Sequence, residues 1–339
     1  MSPTNTIRAS VVQACTVRYD LDATLEKMER LVKVAKDRDG SGMVVFPEAF
    51  IGGYPKGQTF GCVIGERHSS GRQDYLDYHN AAITIPGPAI TRIEKIARES
   101  GVLIVSGVIE KEKVGGSLFC TVVWVHPEGG LIGKRRKLMP TASERLVWAQ
   151  GDASDAKLIN TTLPSSSSSS QALNLNISAT ICWENYMPLF RQHLYDLGTQ
   201  IYCAPTVDGR EVWANTMVHI ALEGRCFVLS ANQMNKDHGT DINIAHPTCG
   251  PYFSQAKDHV QGSSFTAGEA SASEEDVKIA GGSMIVDPMG TILAGPLRGQ
   301  EGVLTAELDL DTIIRGKFDL DVSGHYARND IFQLNVRNS

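Results

Sequence analysis

The chain has 339 residues, of which 42% are hydrophobic, so it can bury a large core and its composition argues against disorder. The formal net charge of −6 gives no electrostatic reason to expect nucleic acid or an anionic membrane as a partner. No apolar run approaches the roughly 20 residues that cross a bilayer, and the N-terminal segment lacks a signal-peptide stretch. Seven scattered cysteines without a CxxC pair lack the usual zinc spacing and do not resemble a secreted disulfide framework. We therefore expect a reduced, cytoplasmic protein without a metal.

Segments with strand and helix patterns alternate along the chain. In chain order they are strand Ile7–Ala14, helix Leu25–Ala35, strand Met43–Phe46, helix Ile90–Ala97, strand Val102–Ile109, strands Cys120–Val125 and Leu131–Lys137, strand Leu173–Ile181, a helix starting near Met187, strand Ile201–Ala204, helix Trp213–Gly224, and strands Cys226–Ala231, Ser283–Val286, Thr291–Ala294 and Gly302–Leu308. Alternation of this kind, with hairpins, predicts α/β layers and a mixed sheet. No clear linker divides the chain.

Two short runs of biased composition stand out. Ser165–Ser170 is a low-complexity run, which we interpret as a loop tip between two elements. Lys134–Lys137 is the one dense basic run, and taken alone it is typical of a solvated patch.

Several familiar catalytic motifs are missing from the sequence. No GxGxxG follows a strand, and neither HExxH nor GxSxG occurs. Without these motifs or a metal-ligand spacing, cysteine is the nucleophile to examine.

Cys182 stands where a predicted strand ends and a helix is expected to begin. A free thiol is only slightly ionised near neutral pH, since its pKa is about 8.5. A helix N-terminus or a nearby base makes the thiolate more available. The alternative interpretation is a buried thiol at a strand end, as expected for Cys15, Cys120 and Cys226 in their apolar runs.

Two charged residues also follow strands. Glu48 comes after Met43–Phe46 and before a glycine-rich loop, where burial would raise its pKa and make it a general base. An exposed loop glutamate is the alternative. A buried ammonium at the end of Leu131–Lys137 would stabilise negative charge that develops on a substrate. The pattern alone does not decide between Lys134 and Lys137.

Taken together, several segments resemble the nitrilase branch of the carbon–nitrogen hydrolase superfamily, from about Ile7 to Phe332. The segments that carry the resemblance are FPEAFIGGYPKG (Phe46–Gly57), KRRKLMPTASERLVWAQGD (Lys134–Asp152), ICWENYMPL (Ile181–Leu189), IYCAPT (Ile201–Thr206) and HIALEGRCFVLSANQ (His219–Gln233). Long motifs in the right order are far more specific than a single triplet.

The resemblance implies a Glu–Lys–Cys triad of Glu48, Lys137 and Cys182, and it implies that Glu144 helps to position the lysine. It also implies a four-layer α-β-β-α sandwich with mixed β-sheets. From their places beside the triad, Tyr54 and Trp183 are candidate walls of a substrate pocket, with core packing as the alternative.

By this resemblance the enzyme is expected to hydrolyse organic nitriles to a carboxylic acid and ammonia through a cysteine thioimidate and thioester, without a cofactor. Some amide by-product is expected. The alternatives are a cyanide hydratase, an amidase or carbamoylase of the same superfamily, and an inactive filament scaffold.

The resemblance also predicts the organisation of the chain. We expect a hydrolase domain over residues 7–311 and a C-terminal extension over 312–339 that takes part in subunit contacts. Family members commonly form homodimers that build into larger homo-oligomers or filaments. Apart from a small-molecule nitrile, no nucleic-acid or membrane partner is expected.

Overall fold

The computed structural model describes residues 5–167, 172–235 and 279–337. Two β-sheets pack face to face, and helices cover the outer face of each. The two inner faces share one hydrophobic core, and each outer face forms a further core with its own helices. This is the predicted four-layer α-β-β-α sandwich. The layering follows from strands that are apolar on both faces and therefore need cover on both sides.

The first sheet contains six strands in the spatial order β15-β1-β2-β5-β6-β7. Their bounds are β1 Thr6–Gln13, β2 Met43–Val45, β5 Leu103–Lys111, β6 Leu118–His126, β7 Gly130–Arg136 and β15 Gly302–Asp309. β1, β2 and β5 are parallel, whereas β15, β6 and β7 run antiparallel to their neighbours. The β6–β7 pair confirms a hairpin between the predicted strands Cys120–Val125 and Leu131–Lys137.

The second sheet has the order β12-β13-β11-β10-β9-β8, with β14 paired to β13. Its strands are β8 Leu158–Pro164, β9 Ala172–Ala179, β10 Ile201–Cys203, β11 Phe227–Ser230, β12 Met234–Asn235, β13 Ile279–Val286 and β14 Ile292–Arg298. β9, β10 and β11 are parallel, so their carboxyl ends meet at one edge. A separate small hairpin is formed by β3 Cys62–Val63 and β4 Glu66–Arg67.

The sequence explains where the helices that cover the sheets begin and end. Their bounds are α1 Leu21–Asp37, α2 Ser69–Ala81, α3 Pro88–Ser100, α4 Pro188–Asp196, α5 Val212–Gly224 and α6 Asp311–Gly316. α1 begins at the N-cap Asp20, whose side chain accepts from the Ala23 N–H. α3 ends at Gly101, which takes the left-handed conformation that glycine adopts at low cost. α1 and α3 cover the first sheet, and α4 and α5 cover the second.

Several elements do not appear among the predictions, namely β3, β4, α2, β8, β12 and α6, and the two longest of them, α2 and β8, show why. α2 is polar and buries few side chains, so it has no apolar stripe to detect. β8 is an edge strand in which Leu163 is its one buried residue. The serine run lies between β8 and β9, as a loop, but Ser165 and Ser166 bind the Thr6 carbonyl, so this part is tied to β1. Residues 168–170 of the run lie outside the described residues.

Within the described ranges, no helix is both long and apolar enough to span a membrane.

Candidate active site

Glu48 is held at the carboxyl end of β2 by close backbone packing. A Cβ on Gly107 of β5 would lie 2.4 Å from the Pro47 carbonyl oxygen and 2.7 Å from the Glu48 Cα, so only glycine allows this approach. The Gln233 side chain donates to the Glu48 carbonyl at 2.7 Å. The Glu48 side chain is fully buried. The exposed-loop interpretation of Glu48 is therefore wrong.

Alternation along β7 separates the basic run into two pairs. Lys134 and Arg136 extend to one side and pair with Glu110. Arg135 and Lys137 point into the protein, and both are fully buried. The interpretation of the run as a solvated patch is wrong for these two residues, because each is neutralised by a buried carboxylate.

Lys137 lies between two carboxylates. Its Nζ donates to Glu48 Oε1 at 2.7 Å and to Glu144 Oε2 at 2.8 Å. Burial alone would lower the pKa of Lys137, but the neighbouring negative charge, above all that of Glu48, raises it well above its ordinary value. The surrounding carboxylates thus favour the charged form of Lys137, whereas the Lys134 side chain is directed to Glu110.

Cys182 occupies a strained turn between β9 and a 3-10 helix that spans Cys182–Tyr186. Its φ of 52° lies in the left-handed region, which a non-glycine residue adopts at a cost. Several bonds hold the turn. The Cys182 N–H donates to the Pro205 carbonyl at 2.9 Å, and the Asn185 side chain donates to the Cys182 carbonyl at 2.7 Å. The sulfur is thus fixed in a buried position.

The environment of Cys182 favours the neutral thiol. Burial and then the charge of Glu48 raise the pKa of this thiol, although Lys137 opposes the shift. Burial thus acts against the expectation that the helix start makes the resting thiolate more available. The helix that begins at Cys182 is a 3-10 helix of only five residues. A base is needed to take the proton.

Glu48 has the properties of that base. Burial raises the pKa of Glu48 to about 7, against the opposing charge of Lys137. Its Oε1 accepts from Lys137, and Cys120 donates to the same oxygen at 3.7 Å. Its Oε2 is buried and makes no well-formed hydrogen bond among the described residues, while the Cys182 thiol is near enough to lower the pKa of the Glu48 carboxyl as a hydrogen-bond donor. One oxygen is therefore open to a proton near neutral pH.

Glu144 connects Lys137 to the rim of the site. Its Oε2 also accepts from the Thr141 N–H at 2.6 Å, and its Oε1 accepts from the Tyr54 hydroxyl at 2.8 Å. The Trp148 ring stacks edge-on against Tyr54, with 5.6 Å between ring centroids, and lies 5.5 Å from Lys137 Nζ. Tyr54 is therefore positioned by Glu144 and Trp148.

A second buried ion pair supports the turn at Cys182. Arg135 binds both oxygens of Glu184, at 2.5 and 2.8 Å. Glu184 also accepts from the backbone N–H groups of Leu138 at 2.6 Å and Ile181 at 2.7 Å. Leu138 directly follows Lys137, and Ile181 directly precedes Cys182. Glu184 therefore joins the chain segments that carry the lysine and the cysteine.

A cleft of about 240 Å³ opens beside these residues. Its lining is Tyr54, Lys56, Thr141, Glu144, Cys182, Trp183, Val207, Asp208 and Arg210. Trp183 is 43% exposed, and its indole N–H donates to Asp208 at 2.9 Å. Core packing is thus excluded for Trp183. A larger cleft of about 440 Å³ shares Tyr54 and Lys56 but does not contain Cys182.

The structure brings together all six residues singled out from the sequence, namely Glu48, Tyr54, Lys137, Glu144, Cys182 and Trp183. Sequence reasoning did not single out Gly107, Thr206 or Gln233. Thr206 and Gln233 fall within the quoted segments, but nothing in the local pattern says what their side chains contact. Among the described residues, no cluster of three or more His, Cys, Asp or Glu side chains is arranged to hold a metal.

Comparison with known proteins identifies the family. The model of the carbon–nitrogen hydrolase family matches residues 8–318. An arylacetonitrilase of Trametes versicolor is 54% identical, with 98% of this chain and 97% of the relative covered. A bifunctional nitrilase/nitrile hydratase of Nicotiana tabacum is 45% identical, with 99% of this chain and 87% of the relative covered. The chain therefore belongs to the carbon–nitrogen hydrolase family and, within it, to the nitrilase branch.

A solved structure agrees at the level of the fold. A Saccharomyces cerevisiae protein of branch 10 of the nitrilase superfamily superposes with a TM-score of 0.65 at 17% identity, over 96% of this chain and 98% of that protein. At this identity the likeness supports the sandwich architecture alone.

Proposed function

We propose that this protein hydrolyses organic nitriles to a carboxylic acid and ammonia, with Cys182 as nucleophile, Glu48 as general base and Lys137 as electrostatic stabiliser. The observation that carries the proposal is the buried group of the Cys182 thiol, the Glu48 carboxyl and the Lys137 ammonium, which act on one another beside a cleft that Cys182 lines. The names of the relatives support nitriles as the substrate class.

In the first step Glu48 takes the proton of Cys182, and the sulfur adds to the nitrile carbon. One carbon–nitrogen π bond breaks, and the nitrogen takes a proton from Glu48, which gives a neutral thioimidate. Lys137 and the backbone N–H of Trp183 stabilise the charge that develops on nitrogen. This N–H lies in the first helical turn, where the helix supplies no acceptor.

In the second step Glu48 activates water, which adds to the thioimidate carbon. The tetrahedral intermediate loses ammonia after Glu48 returns a proton to nitrogen, and a thioester remains. A second water releases the acid and regenerates the thiol. Dividing one difficult addition into two easier ones is the usual advantage of a covalent intermediate. Glu144 acts through Lys137 as a positioning residue.

The aromatic lining of the cleft supports a narrower proposal for the substrate. Tyr54 and Trp183 line the same cleft as Cys182, which favours nitriles that carry an aryl group on a short aliphatic link. The relative from Trametes versicolor is named an arylacetonitrilase. The name of the relative from Nicotiana tabacum supports some release of amide.

The test is turnover of a substrate panel by the wild type and Cys182→Ala. Phenylacetonitrile, an aliphatic nitrile, cyanide and phenylacetamide are incubated with each protein, and ammonia, acid and amide are measured together. We expect phenylacetonitrile to give mainly acid, and we expect the variant to remain folded without turnover. Turnover of phenylacetamide alone would indicate an amidase, and turnover of cyanide to formamide a cyanide hydratase. Turnover by Cys182→Ala would refute the nucleophile.

We further propose that the chain forms homodimers that build into larger homo-oligomers, with the C-terminal extension in the contacts. Large apolar side chains of this segment are exposed, including Phe318 at 88% and Phe332 at 74%. Such exposure is typical of interaction sites. Light scattering of the wild type and of Phe318→Ser/Phe332→Ser tests this, with a smaller assembly expected for the variant. A cytoplasmic location also stays a prediction, to be tested by cell fractionation.

A further inference from the structure

Thr206 contacts the reacting sulfur directly. Its side chain is fully buried, and its Oγ1 donates to Cys182 Sγ at 3.2 Å. The backbone N–H of Asp208 donates to the same Oγ1 at 2.9 Å. A hydroxyl has one proton, and because the Asp208 N–H occupies a lone pair, that proton stays available to the sulfur.

Backbone hydrogen bonds hold the Thr206 hydroxyl beside the Cys182 sulfur. The Thr206 N–H donates to the Ala231 carbonyl at 2.9 Å, and the Cys182 N–H donates to the Pro205 carbonyl at 2.9 Å. Thr206 and Cys182 therefore follow the ends of two neighbouring parallel strands, β10 and β9. The hydroxyl keeps its place beside the sulfur while the substrate reacts.

The strength of this hydrogen bond depends on the charge of the sulfur. A thiolate is an ionised acceptor, and bonds to ionised groups are roughly twice as strong as neutral ones. Sulfur that is bonded to carbon is a weak acceptor. The bond thus strengthens whenever the carbon–sulfur bond breaks and Cys182 regains its negative charge.

The tetrahedral intermediate can break down in two ways. If the carbon–nitrogen bond breaks, protonated nitrogen leaves as ammonia, the hydroxyl oxygen forms the carbonyl, and a thioester remains. If the carbon–sulfur bond breaks, the electron pair goes to sulfur, the hydroxyl oxygen again forms the carbonyl, and an amide leaves. Only the second route generates a thiolate at this branch point.

We propose that Thr206 is a catalytic residue whose hydroxyl stabilises the departing Cys182 thiolate and so directs part of the flux to amide. The proposal rests on the proposed nitrile hydrolysis. The same bond assists the initial attack, since the attacking sulfur is also a thiolate.

The first test measures the ratio of amide to acid from phenylacetonitrile for wild type, Thr206→Val and Thr206→Ser. A hydrogen bond to a charged group corresponds to about a tenfold effect, so we expect Thr206→Val to lower the ratio about tenfold. Thr206→Ser, which keeps the hydroxyl, should remain within about twofold of the wild type. An unchanged or increased ratio in Thr206→Val would overturn the proposal, as would the absence of amide from the wild type.

The second test needs no nitrile. The rate at which iodoacetamide alkylates Cys182 is followed by mass spectrometry of the Cys182 peptide. Because the thiolate is the reactive form, we expect about tenfold slower alkylation in Thr206→Val and an unchanged rate in Thr206→Ser. Equal rates in all three proteins would refute the interaction. If alkylation responds but no nitrile is hydrolysed, then the proposed function fails while the thiolate contact stands.

Thr206→Val also removes the acceptor of the Asp208 backbone N–H, and Asp208 lines the cleft. An effect of lost packing must therefore be separated from the loss of the hydroxyl. Thr199→Val serves as the control, because it removes another buried threonine hydroxyl, which binds the Leu194 carbonyl at 2.7 Å and does not contact the sulfur. We expect it to leave the alkylation rate unchanged. A slowed alkylation in Thr199→Val would assign the effect to lost packing and overturn the role of the hydroxyl.

Discussion

Two buried carboxylates, Glu184 and Glu48, pair with cations two residues apart on the same face of one chain segment. Glu184 accepts four hydrogen bonds, two from Arg135 and two from backbone N–H groups. Glu48 binds Lys137 through one oxygen and makes no well-formed hydrogen bond through the other among the described residues. A carboxylate whose hydrogen bonds are all made holds neighbouring chain segments in place. A carboxylate with an oxygen that lacks a hydrogen bond can still accept a proton. The number of hydrogen bonds, not the residue type, separates the two roles.

The largest loss of activity is expected from Glu48→Gln, which removes the proposed base. The amide keeps the shape of the side chain but cannot take the thiol proton, so we expect kcat/KM to fall by about a thousandfold, within the range for general bases. The variant should still fold, since Lys137 keeps Glu144. Steady-state kinetics and circular dichroism measure the two effects. Activity within tenfold of the wild type would contradict the role of Glu48.

Glu184→Gln should act on stability instead. Removing one partner of a buried pair leaves Arg135 uncompensated and typically costs about 3 kcal/mol or more. Urea denaturation measures this loss. Glu99→Gln is the matched control, because Glu99 pairs with Lys95 at the exposed surface. If both variants unfold at the same urea concentration, the structural role of Glu184 is wrong.

Gly107→Ala tests whether backbone packing positions Glu48. The added methyl would collide with the backbone on both sides of Glu48, and a displacement of 1 Å can reduce turnover about a hundredfold. Gly116→Ala is the control, since a Cβ there meets no atom within 4 Å. We expect a large loss of kcat for the first variant and none for the second. Equal kcat values for Gly107→Ala and Gly116→Ala would contradict the conclusion that packing against Gly107 positions Glu48.

The pH dependence of kcat/KM should show the titration of Glu48. A base must be deprotonated to act, and the pKa of Glu48 is raised to about 7. We therefore expect kcat/KM to fall about tenfold per pH unit below this pKa and to level off above it. A flat profile between pH 5 and pH 8 would show that Glu48 is not the titrating base.

The fold was largely predictable from the sequence because its signals are local. The apolar stripe of α1 and the continuous apolar run of β2 each report burial directly. α2 and β8 were missed because neither buries a regular apolar face. Their positions depend on contacts with distant parts of the chain.

The site was predictable in its residues but not in its electrostatics. Motifs led to Glu48, Lys137 and Cys182, and strand alternation explains why Lys137 rather than Lys134 is buried. The raised pKa of Cys182 was not predictable, because it depends on burial and on the charge of Glu48, which lies far away in the sequence. Thr206 was overlooked for the same reason, since its contact with the sulfur crosses between two strands.

The reacting groups come from opposite halves of the sandwich. Glu48 and Lys137 follow strands of the first sheet, and Cys182 follows a strand of the second. A nascent chain that has completed only its first half thus contains the base and the ammonium without a nucleophile. The triad is therefore complete only where the two sheets pack against each other.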